Sequence, residues 1–453
     1  MTNIEIPDSV TTIGYNTFYG CTALTSVIIP NKVASIGGYA FGDCSSLTSV
    51  IYNAENCTEN GYYNSETREY LSVFENCSAI TTVIIGDSVK SIPAYVFGKC
   101  SELSKVTIGN SVASIGIGAF GGCVNLSRVD ISDINAWCEI DFQLATSNPL
   151  YNGGKLYLNS ELVTEAVIEK ATEIKGFAFN QYTELTSVII GNSVTSIGKY
   201  AFQNCTGLTN VAFGDSITNI GYGAFKDCTG MSSITIGESV TSIGGSAFES
   251  CTGLTNITIP NSVVLIGTSA FKKCIGLTSI TIPNSVTTIG TSVFGYCTGL
   301  TSVIIPNSVT LIGISAFANC HSLSSVTIGS KVSKIEYGAF ENCNAITEVY
   351  CKATTPPTCT TDNKGSYRLF PDDVVHYYAT LYVPKGSKNA YESTEPWSEF
   401  YIKEKEFSGV ESTLADDAEE SVEYYTLQGV KVSNPGKGVF VKVQGGKATK
   451  VVL

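Results

Sequence analysis

The sequence predicts a right-handed parallel solenoid followed by a small all-β C-terminal domain. Three observations carry this. Segments beginning at Leu254, Leu277 and Leu300, "LTNITIPNSVVLIGTSAFKKCIG", "LTSITIPNSVTTIGTSVFGYCTG" and "LTSVIIPNSVTLIGISAFANCHS", repeat one 23-residue pattern. Within each, "LTSITI" alternates apolar and polar residues with the period of a strand. A unit this short cannot bury its own apolar side chains, so it needs a neighbouring copy on each side.

The elements follow in order along one unit. The strand ends at Pro or Gly, both of which interrupt a ladder. Next, "IGxxAFxxC" places Ala, Phe and Cys at spacings of one and three, which suits a single 3₁₀ turn but not a stable helix. Each unit is thus read as one strand and one return path. Thirteen phenylalanines from Phe18 to Phe340 mark the units, and a Cys follows three residues later in all but one, where Tyr182 stands instead. Stacking at about 4.8 Å per repeat gives a rod of roughly 60 Å. It also aligns the cysteines in a row. Their parallel Cβ vectors stay too far apart for disulfide geometry, so reduced, buried thiols acting as small apolar fillers are expected.

Such repeats, for example "LTSVIIPNKVASIGGYAFGDCSS", resemble the BspA-like (Treponema-type) leucine-rich repeats of bacterial surface proteins, over residues 1 to about 350. The resemblance implies a leucine-rich-repeat right-handed superhelix with its parallel sheet on the concave face. It also implies an adhesin-like role, binding a host extracellular or bacterial surface protein from a cell-surface or secreted location. A carbohydrate-binding component of a surface glycan-uptake system is the alternative.

Residues 1–350 therefore form the solenoid, interrupted near 53–70 and 132–161. Cys44 to Cys77 is ten residues longer than one period and Cys123 to Tyr182 is 36 longer. Insertions in solenoids are expected as loops on one face, often the binding face. In the second, "KLYLNSELV" reads as a hairpin turning at Asn159 and Ser160. After Tyr350 the period stops. Residues 351–407 are read as the C-terminal cap, with a short helix capped by Ser387, and 408–421 as an acidic linker. Residues 422–453 give four short strands. This last segment resembles the sorting domain of the type IX secretion route of Bacteroidetes, through Tyr425, Leu427, Gly429, Gly438, Phe440 and Lys450. The N-terminus starts in mid-repeat at Ile4 and Ile6 without a signal-like segment, so an export signal and a cap are expected upstream.

Composition narrows the partners. A net charge of −13 argues against nucleic acid and anionic membranes, and no segment has the ~20 apolar residues of a membrane span. A monomer is expected. Chemistry is thin. His321 and His376 lie apart from any acid or nucleophile in sequence, Cys359 is the one cysteine outside the ladder placed to pair with a His, and Glu139 and Asp141 share a face if they lie on a strand. Gly116, Gly118 and Gly121 match G-x-G-x-x-G inside a repeat turn, where no helix follows to hold a pyrophosphate. No catalytic residue, metal site or cofactor is expected.

Binding candidates come from two places. If Val and the last Ile of "LxxVxI" point inward, the intervening positions face outward and form a strip that includes Ile28, Ile84, Ile189, Ile304 and Tyr350. Lys105, Thr107, Arg128 and Asp130 occupy the same two rows. Tyrosines give the second set: Tyr39, Tyr95 and Tyr200 share one slot before "AF" or "VF", and Tyr62, Tyr63 and Tyr151 lie in the insertions. Tyrosine is enriched at interfaces because one side chain offers an apolar body and a polar tip.

Overall fold

The computed structural model describes residues 3–57, 59–64, 69–371, 374, 378–407, 423–425, 431–432, 439–444 and 447–452; for most of 59–71 and everything beyond 407 the description is of the backbone. It is a parallel β-solenoid with little helix. The first strands of successive repeats pair in parallel within several sheets, so that Val27, Val50, Val83, Val106 and Val129 fall in one row. Leu24, Val27 and Ile29 are buried while Ser26 and Ile28 face solvent. The alternation read from sequence is therefore the alternation of core and surface.

The return path holds a second parallel ladder that periodicity did not reveal. Two-residue strands such as Ser196–Ile197, Asn219–Ile220 and Ser242–Ile243 pair in series. The reading of one strand per unit is corrected accordingly. Glycine after each of these isoleucines lets successive returns close up: a Cβ on Gly221 would sit 2.7 Å from the Gly198 carbonyl carbon.

The "AFxxC" turns stack through backbone bonds as well, with Phe202 N–H donating to Ala224 O at 2.8 Å. Their rings form a column. Centroids are 5.0–5.7 Å apart from Phe18 to Phe120 and 5.2–5.5 Å apart from Phe179 to Phe340. Cysteine has a second role beside filling space. The Cys205 thiol donates to Phe179 O at 3.1 Å, and Cys228, Cys251, Cys274, Cys297, Cys320 and Cys343 repeat the contact at 3.1–3.2 Å. Each of these Phe carbonyls also accepts from the N–H three residues on in its own repeat, Tyr182 for Phe179 at 3.0 Å and a Cys for the rest, such as Cys205 to Phe202 O at 3.2 Å. The thiol thus uses the remaining lone pair of a buried carbonyl, which Ala or Val could not do. All sixteen cysteines are free thiols.

The two insertions differ from the expected loops. In the first, Glu59–Asn64 joins the second ladder beside Ser35–Gly37 and then pairs antiparallel with Glu69–Leu71. The second is built into the core. Its helix Ile134–Cys138 and the following turns bury Trp137, Phe142, Asn148 and Leu150. Trp137 Nε1–H and Asn148 Nδ2–H donate to Ala178 O at 3.0 and 3.1 Å, replacing the Phe N–H that a preceding repeat supplies elsewhere. Asn135 Oδ1 accepts from the N–H groups of Glu169, Lys170 and Ala171. The hairpin forms as expected: Lys155–Leu158 pairs antiparallel with Glu161–Leu162 around Asn159 and Ser160 at φ 50 and 74. Tyr182 reaches back into it, its hydroxyl donating to Val163 O at 2.7 Å. The insertion splices two runs of repeats, and Tyr replaces Cys where the carbonyl partner lies farther off.

The stack also continues past Tyr350. Thr380–Pro384 and Tyr401–Lys405 extend the first sheet in parallel, Thr358–Cys359 extends the second ladder, and Phe370 stacks on Phe340 at 5.1 Å. Trp397 and Phe400 pack edge-on against Phe370 at the end of the column. A helix does form at Lys388–Glu392 behind Ser387, without a side-chain cap bond. Farther on, Glu423–Tyr425, Lys431–Val432, Val439–Gln444 and Lys447–Val452 make an antiparallel four-stranded sheet. The linker 408–421 and Leu427, Gly429 and Gly438 lie outside the described residues. No helix among the described residues is long and apolar enough to cross a membrane.

Candidate binding surface

The outer face of the first sheet is built from the two side chains per repeat that the pleat turns away from the core. Ile28, Ile84, Ile189 and Ile304 are 53%, 38%, 49% and 43% exposed. Register decides which of them meet. Ile28 and Ile84 flank the half-buried Ile51 in one column. Ile189 pairs with Val167, whose side chain is 47% exposed. Ile304 stands apart, between Thr281 and Thr327. Tyr350 is half-buried and stacks on Tyr382 at 4.8 Å, with Lys405 Nζ 4.7 Å from its ring centre.

Between the two apolar stretches lies a charged group. Thr107, Asp130 and Tyr157 continue the row after Ile84. Arg128 donates from Nε and Nη2 to Asp130 at 3.0 and 2.8 Å, and Lys105 Nζ reaches Asp130 Oδ2 at 3.1 Å. The guanidinium lies 4.0 Å over the Tyr157 ring. Partial burial disfavours the Asp130 carboxylate, but the bonds from Arg128 and Lys105 outweigh it and hold its pKa below the usual range. In chain order the outward positions read apolar, charged, apolar, then mostly Ser, Thr and Asn with Ala212 and Ile304 among them, and finally aromatic; the sheet carrying the first two groups ends at the 155–162 hairpin, and Val167 and Ile189 belong to the next.

The tyrosines of the shared slot do not converge. Tyr39, Tyr95 and Tyr200 adopt positive φ of 53, 57 and 56 in the turn. Tyr95 and Tyr200 lie over the glycine of the next repeat, where a Cβ on Gly118 or Gly223 would come within 2.7 or 2.5 Å of the ring. Tyr39 touches Tyr15 and Tyr19 instead. Tyr151 is half-buried on the turn Pro149–Asn152, and Tyr62 and Tyr63 lie on the strand Glu59–Asn64. Sequence reasoning passed over Ile51, Val167, Tyr157 and Tyr382. Ile51 sits in the same pattern slot as Ile28 and was findable. The others depend on a register that the insertion and the irregular C-terminal turns conceal.

Catalytic candidates gain nothing from the geometry. Glu139 caps the helix Ile134–Cys138 rather than lying on a strand, and its carboxylate accepts from Thr172 N–H at 2.7 Å. That corrects the shared-face reading with Asp141. Burial pushes the Cys359 thiol up to about 12, which keeps it protonated at neutral pH. His321 Nδ1 contacts Asn342 O at 3.0 Å, and His376 lies outside the described residues. Gly116, Gly118 and Gly121 lie in a repeat turn. Among the described residues no His, Cys, Asp and Glu gather as a metal site.

A stack of short parallel strands with buried Leu, Ile and Phe columns and, among the described residues, only short helical segments defines the leucine-rich-repeat class of scaffold. The chain belongs to the BspA type leucine rich repeat region family, which matches residues 1–67, 67–144, 172–300 and 287–356. The unmatched stretch between 144 and 172 falls in the splice. The family is a repeat scaffold, generally non-catalytic, and no enzyme family is indicated. A leucine-rich repeat protein from Bacteroides ovatus ATCC 8483 is similar at 24% identity over 88% of both chains, with a TM-score of 0.49. The leucine rich repeat protein of T. pallidum is 28% identical over 36% of this chain and 78% of its own, with a TM-score of 0.33. A leucine rich cell surface protein from Faecalibacterium prausnitzii A2-165 is 23% identical over 72% of this chain and 87% of its own, with a TM-score of 0.33. No curated protein matches the chain.

Proposed function

We propose that the protein is a non-catalytic, monomeric binding protein, displayed on the cell surface or secreted, that presents the outer face of its first sheet to a host extracellular or bacterial surface protein. The observation that carries this reading is the face itself. Ile28, Ile51 and Ile84 lead along one sheet into the Lys105–Arg128–Asp130–Tyr157 group, and Val167 and Ile189 open the next sheet beyond the 155–162 hairpin. Branched apolar side chains held on a rigid sheet lose little entropy on contact, and Arg and Tyr are among the residues enriched at interface hot spots. Partner choice rests with these positions together with Ile304 and the Tyr350–Tyr382 end, since most of the remaining rungs carry interchangeable Ser, Thr and Asn. Resemblance of the last strands to a type IX sorting segment supports export to the outer surface.

The test is capture of extracellular-matrix, mucosal and bacterial surface proteins by the intact protein, by an Ile28→Ser, Ile84→Ser, Ile189→Ser variant, and by Arg128→Ala. Deleting residues 132–161 is unsuitable, because it removes Trp137 and Asn148 from the core. A partner lost on both face variants supports the reading. A partner retained by both moves recognition elsewhere, and binding only on a glycan array favours the glycan-uptake alternative.

A further inference from the structure

We propose that Tyr15, Tyr19 and Tyr39, with Asp43 beside them, form a receptor site for an organic ammonium group, presented as a lysine side chain by the protein partner. The proposal rests on the protein-binding reading for the source of that lysine. The site lies on the turn face, apart from the sheet.

The rings are placed as walls. Tyr15 and Tyr19 are 57% and 50% exposed, and each stands 6.1 Å from Tyr39 with its plane turned by 88° and 86°. In the same repeats the buried Phe18 and Phe41 stack nearly parallel, 22° apart. Perpendicular rings offer no broad platform for a flat sugar ring. The half-exposed aromatic surface of Tyr15 and Tyr19 beside a carboxylate suits a compact cation, which needs only one ring face and a nearby negative charge. Gly42 lets Tyr39 and Tyr19 pack close together: a Cβ there would lie 2.8 Å from Tyr39 Cδ1 and 3.1 Å from Tyr19 Cδ2.

The charge at the site is negative. The Tyr19 hydroxyl and Asn76 Nδ2, the latter at 2.9 Å, both bond the Asp43 carboxylate and hold it below its usual range, so it is ionised at neutral pH. Glu75 also lies near Tyr39, but it is paired with Lys99 at 3.1 Å. Two acids against one base leave a net negative surrounding, within a chain of net charge −13. A cation is the complementary ligand.

The scaffold does not require these rings. The Tyr39 slot is filled by Ser246, Ser269, Ser292 and Ser315 in later repeats, at φ 53–58. Tyrosine also fills the slot at Tyr95 and Tyr200, where the ring covers the glycine of the next repeat; at Tyr39 it meets two further tyrosines instead.

The experiment titrates the full chain with tetramethylammonium and with a short acetylated Gly-Lys-Gly amide, read by saturation-transfer NMR, against the matched norleucine peptide. Both cations bind saturably and the norleucine peptide does not. Tyr39→Ser, which installs the residue the scaffold itself uses, weakens binding about three- to fivefold, as does Asp43→Asn. Tyr296→Ala, an exposed tyrosine outside the group, leaves it unchanged. No saturable binding, equal binding of norleucine, indifference to Tyr39→Ser, or preference for methyl glycosides would overturn the proposal. Cation binding that survives the sheet-face substitutions separates this site from the sheet: the sheet reading then stands or falls on its own capture result.

Discussion

Replacing Phe248 by alanine removes a fully buried ring from mid-column, where it lies 5.4 Å from both Phe225 and Phe271 with planes within 4° and 2° of theirs. The lost transfer energy and the cavity together cost about 3–5 kcal/mol. Phe18 is only partly buried and stacks on one neighbour, Phe41 at 5.0 Å. Phe18→Ala therefore forfeits about half as much, roughly 1.5–2.5 kcal/mol. Each repeat touches only its neighbours, so the damage is local in both cases. Urea unfolding by circular dichroism gives the magnitudes, and hydrogen exchange read by mass spectrometry gives the place. The mid-column variant loses protection first around residues 225–271, and the end variant loosens only what precedes Phe41. Equal costs for the two variants, or exchange raised uniformly along the chain after Phe248→Ala, would refute the stacked-column reasoning.

Further predictions concern the splice and the thiols. Asn148→Ala leaves the buried Leu150 N–H without its side-chain acceptor at 2.8 Å and removes two donated bonds; urea unfolding should show a loss of about 2–4 kcal/mol. Tyr182→Phe keeps the ring but removes the donor to Val163 O, a loss of about 1–2 kcal/mol by the same assay. Burial pushes the Cys351 thiol up to about 11 and Cys123 to about 12. Above the ordinary thiol range the unfolded chain ionises while the folded one stays protonated. Stability is therefore full below about pH 8.5 and falls steeply as the pH rises toward 11–12; a urea midpoint that does not fall across that interval would contradict it. At pH 8 the buried ladder thiols from Cys205 to Cys343 stay unalkylated until urea unfolds the chain, as counted by mass spectrometry.

Much of the scaffold was legible because its determinants are local and recur. Strand alternation, the breaks at Pro and Gly, and the Phe and Cys columns each follow from one 23-residue pattern. What escaped has physical causes. Two-residue strands such as Ser196–Ile197 are too short to show a period. Phe370 follows Phe340 by 30 residues and has no Cys three positions on, so nothing marks it as a rung. The second insertion looked polar and loop-like, yet Trp137 and Asn148 act through carbonyls about 30 to 40 residues away. On the sheet face, individual outward positions such as Ile28 could be named. Their neighbours across the splice, Tyr157 and Val167, required the register.

Hydrogen exchange across the unmodified chain tests most directly whether one stack runs through the splice. The account predicts slow exchange at Val129, Leu156, Ala166 and Val188 in a continuous series, with the splice opening together with the repeats on both sides. Protection that ends after Ile131 and resumes only at Val188, with the two halves unfolding at separate urea concentrations, would contradict it.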